Sequence, residues 1–232
     1  MIDDISSTKK KARIAGFIYL LLVITGVVSL LYIPSQFIVR GDATATANNI
    51  LSSEPLFRAG IFLSFITQIV YVFLALALYR LLKEISHPQA LLMVTLVVIG
   101  ASTAFANTFN EIAALIILSG DDFLSVIERP QLEALSYVFL RLHSYALQGI
   151  QIFWGLWLFP FGYLVYRSRF IPKILGVLLF IAGLAYVLSS FTFFVLPQYT
   201  TTISPLITFL EMAELPIVFW LLIVGAKAQS SE

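Results

Sequence analysis

Six stretches of this chain, residues 14–33, 59–82, 90–118, 135–166, 174–196 and 205–225, each run for 20 residues or more with almost no charge. That is the length an α-helix needs to cross a hydrocarbon core about 30 Å thick. Inside a bilayer every backbone amide must be satisfied by the chain itself, which leaves helices and closed barrels. None of the six segments shows the dyad alternation, about ten residues long, of a barrel strand. The sequence therefore predicts an all-α integral membrane protein. Its six transmembrane helices form one bundle, and residues 1–232 form a single transmembrane domain. Composition agrees, since 12% of the residues are charged where a soluble domain carries about 25%.

Basic residues concentrate in cytoplasmic loops, so their placement orients the spans. Lys9, Lys10, Lys11, Arg13, Arg80, Lys83, Arg167, Arg169, Lys173 and Lys227 fall on one side, ten of the 14. Arg40, Arg58 and Arg129 fall on the other, and Arg141 lies within a span. This predicts a multi-pass protein of the cell membrane with both termini cytoplasmic. The first apolar run is too long for the h-region of a signal peptide, about 7 to 15 residues, and the small residues Ala43-Thr44-Ala45 come too late for cleavage. It is read as an anchor. The links at 83–89 and 167–173 are short, so the helices they join are antiparallel neighbours. In the long outer link, Asp42 is placed to cap a short helix over 43–52 that Pro55 ends. The other outer link, 119–133, reads as a polar turn with one helical piece.

Membrane lipids are the one partner class this composition implies. A net charge of +1 argues against nucleic acid, and the absence of cysteine removes disulfides and thiolate ligands. No phosphate loop, nucleophile elbow or zinc-protease helix is present, so soluble-type enzyme chemistry is unsupported, and cofactor and oligomeric state are left open.

Ionisable residues inside a span are costly and are placed toward other helices, where they find partners. In the third span Asn107, Asn110 and Glu111 recur at spacings of three and four, on one helical face. In the sixth, Glu211 and Glu214 share a face. In the fourth, Arg141, Ser144, Gln148 and Gln151 form a stripe, and the second adds Ser64, Thr67, Gln68 and Tyr71 with Arg58 at its outer mouth. At about 1.5 Å per residue from the predicted outer ends, Glu111, Arg141 and Glu211 lie about 9–10 Å deep and Glu214 about 14 Å. One outward-facing polar pocket results, with Glu111, Arg141, His143, Gln148, Glu211, Glu214, Asn107, Asn110 and Arg58 as candidate ligand-binding residues. His143 is two residues from Arg141, about 200° around the helix, so both cannot face one centre. Its spacing to the carboxylates matches no metal signature. Burial favours the neutral form of a carboxyl and a nearby arginine the charged form, and the sequence leaves both open.

The remaining features read as architecture. Trp154, Gly155, Trp157, Pro160 and Gly162 in the fourth span predict a bend around Pro160. Tyr19, Tyr79, Tyr163, Tyr166 and Trp220 read as an aromatic belt at the inner ends. Gly176, Gly183, Tyr186 and Ser190 form a small-residue stripe on the fifth span. Pro216 frees a carbonyl near residue 212.

Several segments resemble the bacterial membrane proteins grouped as domain of unknown function 4386. They are Arg141-Leu142-His143, Phe153-Trp154-Gly155-Leu156, the run 162–168, Pro172-Lys173-Ile174-Leu175-Gly176, Ala182-Gly183 with Tyr186, and Glu214-Leu215 with Trp220-Leu221-Leu222. Ala12-Arg13-Ile14-Ala15-Gly16 and Leu78-Tyr79-Arg80 also match. The resemblance implies a six-helix membrane fold and places Arg141, His143 and Glu214 among the matching positions; it implies no substrate. Three functions stay open. One is binding or transport of a small or lipid-like ligand in the pocket. Another is an intramembrane enzyme using a Glu or His base on a lipid or peptide. The last is a structural or regulatory subunit whose polar cluster packs helices.

Overall fold

The structure is a computed structural model that describes residues 2–226, with side chains from residue 7 onward. Lys227, used above to orient the chain, lies outside the described residues. Among these residues there are seven helices and no strand. They are α1 Ser7–Phe37, α2 Ala43–Ser52, α3 Glu54–Leu82, α4 His87–Leu118, α5 Arg129–Arg167, α6 Lys173–Val195 and α7 Pro197–Val224. All but α2 are long and apolar enough to cross a membrane.

Helix ends differ from the expected spans for local reasons. α1 passes through Pro34 because the turn before it, Val28–Tyr32, widens to i→i+5 bonding, so the helix runs on to Phe37. α7 starts at Pro197, not at residue 205, and Pro205 sits inside it. The Asp42 carboxylate accepts from the Ala45 amide at 2.8 Å and caps α2, as the sequence predicts. The polar turn before α5 contains a single helical turn, Asp122–Leu124.

The chain divides into two compact units, Met1–Leu22, Val70–Ala101 and Gln148–Glu232 in the first, Val23–Ile69 and Ser102–Leu147 in the second. In the first, α5 is interrupted at Trp157. Pro160 has no amide to give the Leu156 carbonyl, which places the bend three residues before the proline itself. Beyond the break α5 lies directly on α6. A Cβ on Gly162 would stand 2.9 Å from the Gly176 carbonyl, and one on Gly183 2.9 Å from the Gly155 carbonyl. Two glycines seven residues apart on each helix thus allow backbone to meet backbone. Tyr186, read from sequence as part of this stripe, is used elsewhere.

The second unit has its own apolar core. Ile33 and Phe37 of α1, Ile50 of α2, Phe57 and Ile61 of α3, Leu115 and Leu118 of α4 and Leu140 of α5 are buried together, with Phe37 edge-on to Phe57 at 5.3 Å. Phe65 packs on Phe105 with ring centroids 4.4 Å apart, which brings α3 and α4 side by side as their short link requires. Polar ties fasten α2 to α5: the Thr44 hydroxyl donates to Glu133 at 2.7 Å, and Arg129 holds the other carboxylate oxygen at 2.8 Å.

Candidate functional site

The candidate residues fall into two groups, one in each unit. In the second unit the group centres on a break in α4. The helical ladder lapses at Thr108, between the segments His87–Asn107 and Phe109–Leu118. The Glu111 amide turns to the Thr108 carbonyl at 3.1 Å, leaving the Asn107 carbonyl to side chains. It accepts from Asn110 Nδ2 at 3.1 Å and faces His143 Nδ1 at 3.2 Å. In return Asn107 Nδ2 donates to the His143 carbonyl at 3.0 Å. The two residues, one on α4 and one on α5, exchange side-chain and backbone bonds. Because a carbonyl only accepts, Nδ1 carries the proton in this contact, and in the neutral ring Nε2 is then the basic nitrogen. Glu111 lies next to this pair, its Oε2 4.0 Å from His143 Nδ1 and buried without a hydrogen bond.

Arg141 does not join them. Its side chain is exposed and donates to Tyr145 at 2.9 Å while lying 5.1 Å over that ring. The helical geometry that forbids Arg141 and His143 from sharing a centre is what the structure shows. Arg58 is paired with Glu54 one turn away, at 2.6 Å on the surface of α3. Gln148 is half-buried in the first unit.

In the first unit Glu214 sits at an interruption of α7. The regular helix ends at Glu211, a tight turn covers Met212–Glu214, and Leu215 restarts the helix with Pro216 in its first turn. The carbonyl that Pro216 was expected to free is taken by the Leu215 amide, which bonds to Met212. Glu214 instead meets hydroxyls. Tyr19 of α1 donates to its Oε1, and Tyr186 of α6 also bonds the carboxylate. The Tyr71 hydroxyl of α3 is buried beside it with no hydrogen-bond partner, as is Oε1 of Glu211. Trp157 of α5 closes the group, its ring centroid 5.6 Å from Tyr71 and 6.0 Å from Tyr19, and stacks on Phe161.

Tyr19 is therefore not part of an aromatic belt: it is fully buried. Helix α1 runs from Ser7 or before, not from residue 14, which puts Tyr19 about 18 Å along it and away from its end. The same argument moves Glu214, about 25 Å along α7 from Pro197 instead of about 14 Å. Tyr163 and Tyr166 are exposed, as belt residues would be. Sequence reasoning placed Tyr71 on a polar stripe and Trp157 at a bend but connected neither to Glu214. The readable signal was a buried-span carboxylate without a basic residue at helical spacing on its own helix.

The family described as Domain of unknown function (DUF4386) matches residues 14–225, which takes in both groups. The chain belongs to this family. An uncharacterised protein of Archaeoglobus fulgidus is 31% identical over 168 residues, covering 72% of this chain and 83% of the relative. No solved structure matches. The recognition carried by Arg141-Leu142-His143 and Glu214-Leu215 is thus correct, and an archaeal relative extends the bacterial setting it suggested.

Proposed function

We propose that this member of the DUF4386 family binds or transports a small positively charged ligand at its intramembrane carboxylates, with both termini on the cytoplasmic side. One observation carries the reading. Among the described residues, none of Glu111, Glu211 and Glu214 is paired with a lysine or arginine, and Glu111 and Glu211 each keep a buried oxygen without any hydrogen bond. A network that served only to fix helix order would close its charges against one another, because an uncompensated polar atom at that depth is costly. Here the one arginine available within a span is turned to Tyr145. At Glu214 the surroundings suit a cation in a second respect. The carboxylate supplies the charge, and the packed rings of Tyr19, Tyr71 and Trp157 lie beside it, an aromatic setting of the kind to which cations are drawn. The orientation rests on the ten-to-three distribution of basic residues in the sequence.

The test is a titration of the purified full chain in lipid nanodiscs with tetraethylammonium, sodium and potassium, read by tryptophan fluorescence, since Trp157 touches two of the tyrosines around Glu214. A saturable change with at least one cation is expected, and Glu214→Gln, still helical by circular dichroism, weakens it roughly tenfold or more, as loss of a charged hydrogen-bonded partner does. No saturable response from the folded protein, or an unchanged titration in Glu214→Gln, overturns the proposal.

A further inference from the structure

A basic cavity at the start of α1, open to the surface and lined by that helix, is independent of both carboxylate groups. It has a volume of about 440 Å³ and is lined by Lys9, Lys10, Arg13, Ile14 and Phe17. We infer that it is a binding site for the headgroup phosphate of an anionic phospholipid, with the acyl chain lying along Ile14 and Phe17.

The helix itself sorts these residues. Ala12, Ala15 and Tyr19 are completely buried on one face of α1, and Gly16 on that face lets the helix back directly against the Leu221 and Leu222 backbone of α7. Lys9 and Arg13, four apart, flank that face beside Gly225, and Lys10, Ile14 and Phe17, at spacings of four and three, lie opposite it, so charge gives way to apolar surface one turn later. Ile14 and Phe17 are 48% and 60% exposed, an apolar surface that meets acyl chains in a bilayer. A phospholipid has this same sequence of chemistry, an anion followed by hydrocarbon.

The charges are also positioned. Gly225 ends α7 with φ 77°, leaving the Ile223 carbonyl open. Arg13 Nη2 donates to that carbonyl at 2.9 Å, so one edge of the guanidinium is fixed and the rest of its fork faces outward. Guanidinium forks suit phosphate, and lysines add mobile point charges beside them. Among the described residues neither Lys9, Lys10 nor Arg13 forms an ion pair. Clusters of Lys and Arg at the cytoplasmic end of a membrane helix attract anionic lipid headgroups.

The experiment uses the full chain in neutral detergent, titrated with phosphatidylglycerol or phosphatidylcholine, with bound lipid counted by native mass spectrometry. Phosphatidylglycerol is expected to be retained preferentially. Lys9→Gln/Lys10→Gln, which breaks no hydrogen bond among the described residues, lowers that retention about tenfold or more, and added salt lowers it in the unmodified chain. Lys83→Gln/Lys173→Gln removes the same charge elsewhere and leaves retention unchanged. Equal retention of the two lipids overturns the inference, as does an equal loss in both double variants, which would make the effect one of diffuse charge. Should the first double variant not fold, Lys9→Gln alone, with the salt titration, decides between the same outcomes.

Discussion

The carbonyl of Asn107 is where a helix gives up one of its own bonds and a neighbouring helix supplies the replacement. His143 and Asn110 approach it, and the Asn107 amide answers at the His143 carbonyl. Polar bonds between helices in a membrane contribute modestly, about 0.6 kcal/mol on average and up to about 1.7. Asn107→Ala removes the donor to His143 and the Oδ1 acceptor that Asn110 reaches at 3.0 Å. The expected cost is about 1–2 kcal/mol, measured by titrating the detergent-solubilised protein with dodecyl sulfate. A change below about 0.3 kcal/mol would show that the exchange does not hold α4 to α5. Tyr19→Phe makes a sharper test at the other group. It keeps the ring against Trp157 and removes only the hydroxyl that Glu214 accepts from. Stability is expected to fall by about 1 kcal/mol, with cation titration weakened less than in Glu214→Gln because the charge remains. Neither pairing was readable from residue order. The Asn107–His143 contact spans 36 positions and the Tyr19–Glu214 contact 195, and spacing rules reach one helix at a time.

At the scale of elements, what the sequence made legible was what a single helix decides for itself. The six long helices follow from uninterrupted apolar runs, α2 from its Asp42 cap, and the break at Trp157 from Pro160. The break at Thr108 has no proline to announce it, and the Asn107 carbonyl it frees is taken by Asn110 of α4 and by His143 of α5, a partner that spacing along one helix does not reveal. Interhelical glycines stand between these cases. Their small-residue stripe was visible on α6, but its partners Gly155 and Gly162 on α5 were read as part of a bend. The structure now separates glycines that packing requires from those it does not. At Gly176 a Cβ would stand 2.7 Å from the Gly162 carbonyl and 2.8 Å from the Tyr166 amide, both backbone atoms that cannot swing away. At Gly149 the nearest atom is Phe194 Cε2 at 3.9 Å. Gly176→Ala should therefore destabilise by about 1–3 kcal/mol through overpacking, while Gly149→Ala is neutral or stabilises by up to about 1 kcal/mol through helix propensity. Thermal unfolding of the two variants side by side checks the contrast, and equal behaviour would remove close approach as the reason for the α5–α6 glycines.

For the whole molecule, the proposed orientation depends on charge that the fold leaves at the ends of helices. Among the described residues Lys9, Lys10, Lys11, Arg80 and Lys173 form no ion pair and Lys83 pairs only with the exposed Glu84 at 3.8 Å, and basic residues so placed are retained on the cytoplasmic side during insertion. On the opposite side Arg58 and Arg129 are matched by Glu54 and Glu133 within one helical turn. The count still stands at ten to three, because the rule counts Lys and Arg and acidic neighbours contribute little. The chain contains no cysteine, so single cysteines introduced at exposed positions report sidedness without removing native thiols. Ser53→Cys, just after α2, and Ser125→Cys, before α5, should react with a membrane-impermeant maleimide on intact cells. Ser7→Cys, at the start of α1, and Glu84→Cys, in the link between α3 and α4, should react only after permeabilisation. The reverse pattern would invert the protein and place the basic cavity of α1 in the outer leaflet. A mixed pattern, with Ser53 and Ser125 on opposite sides, would mean that α3 and α4 do not both cross.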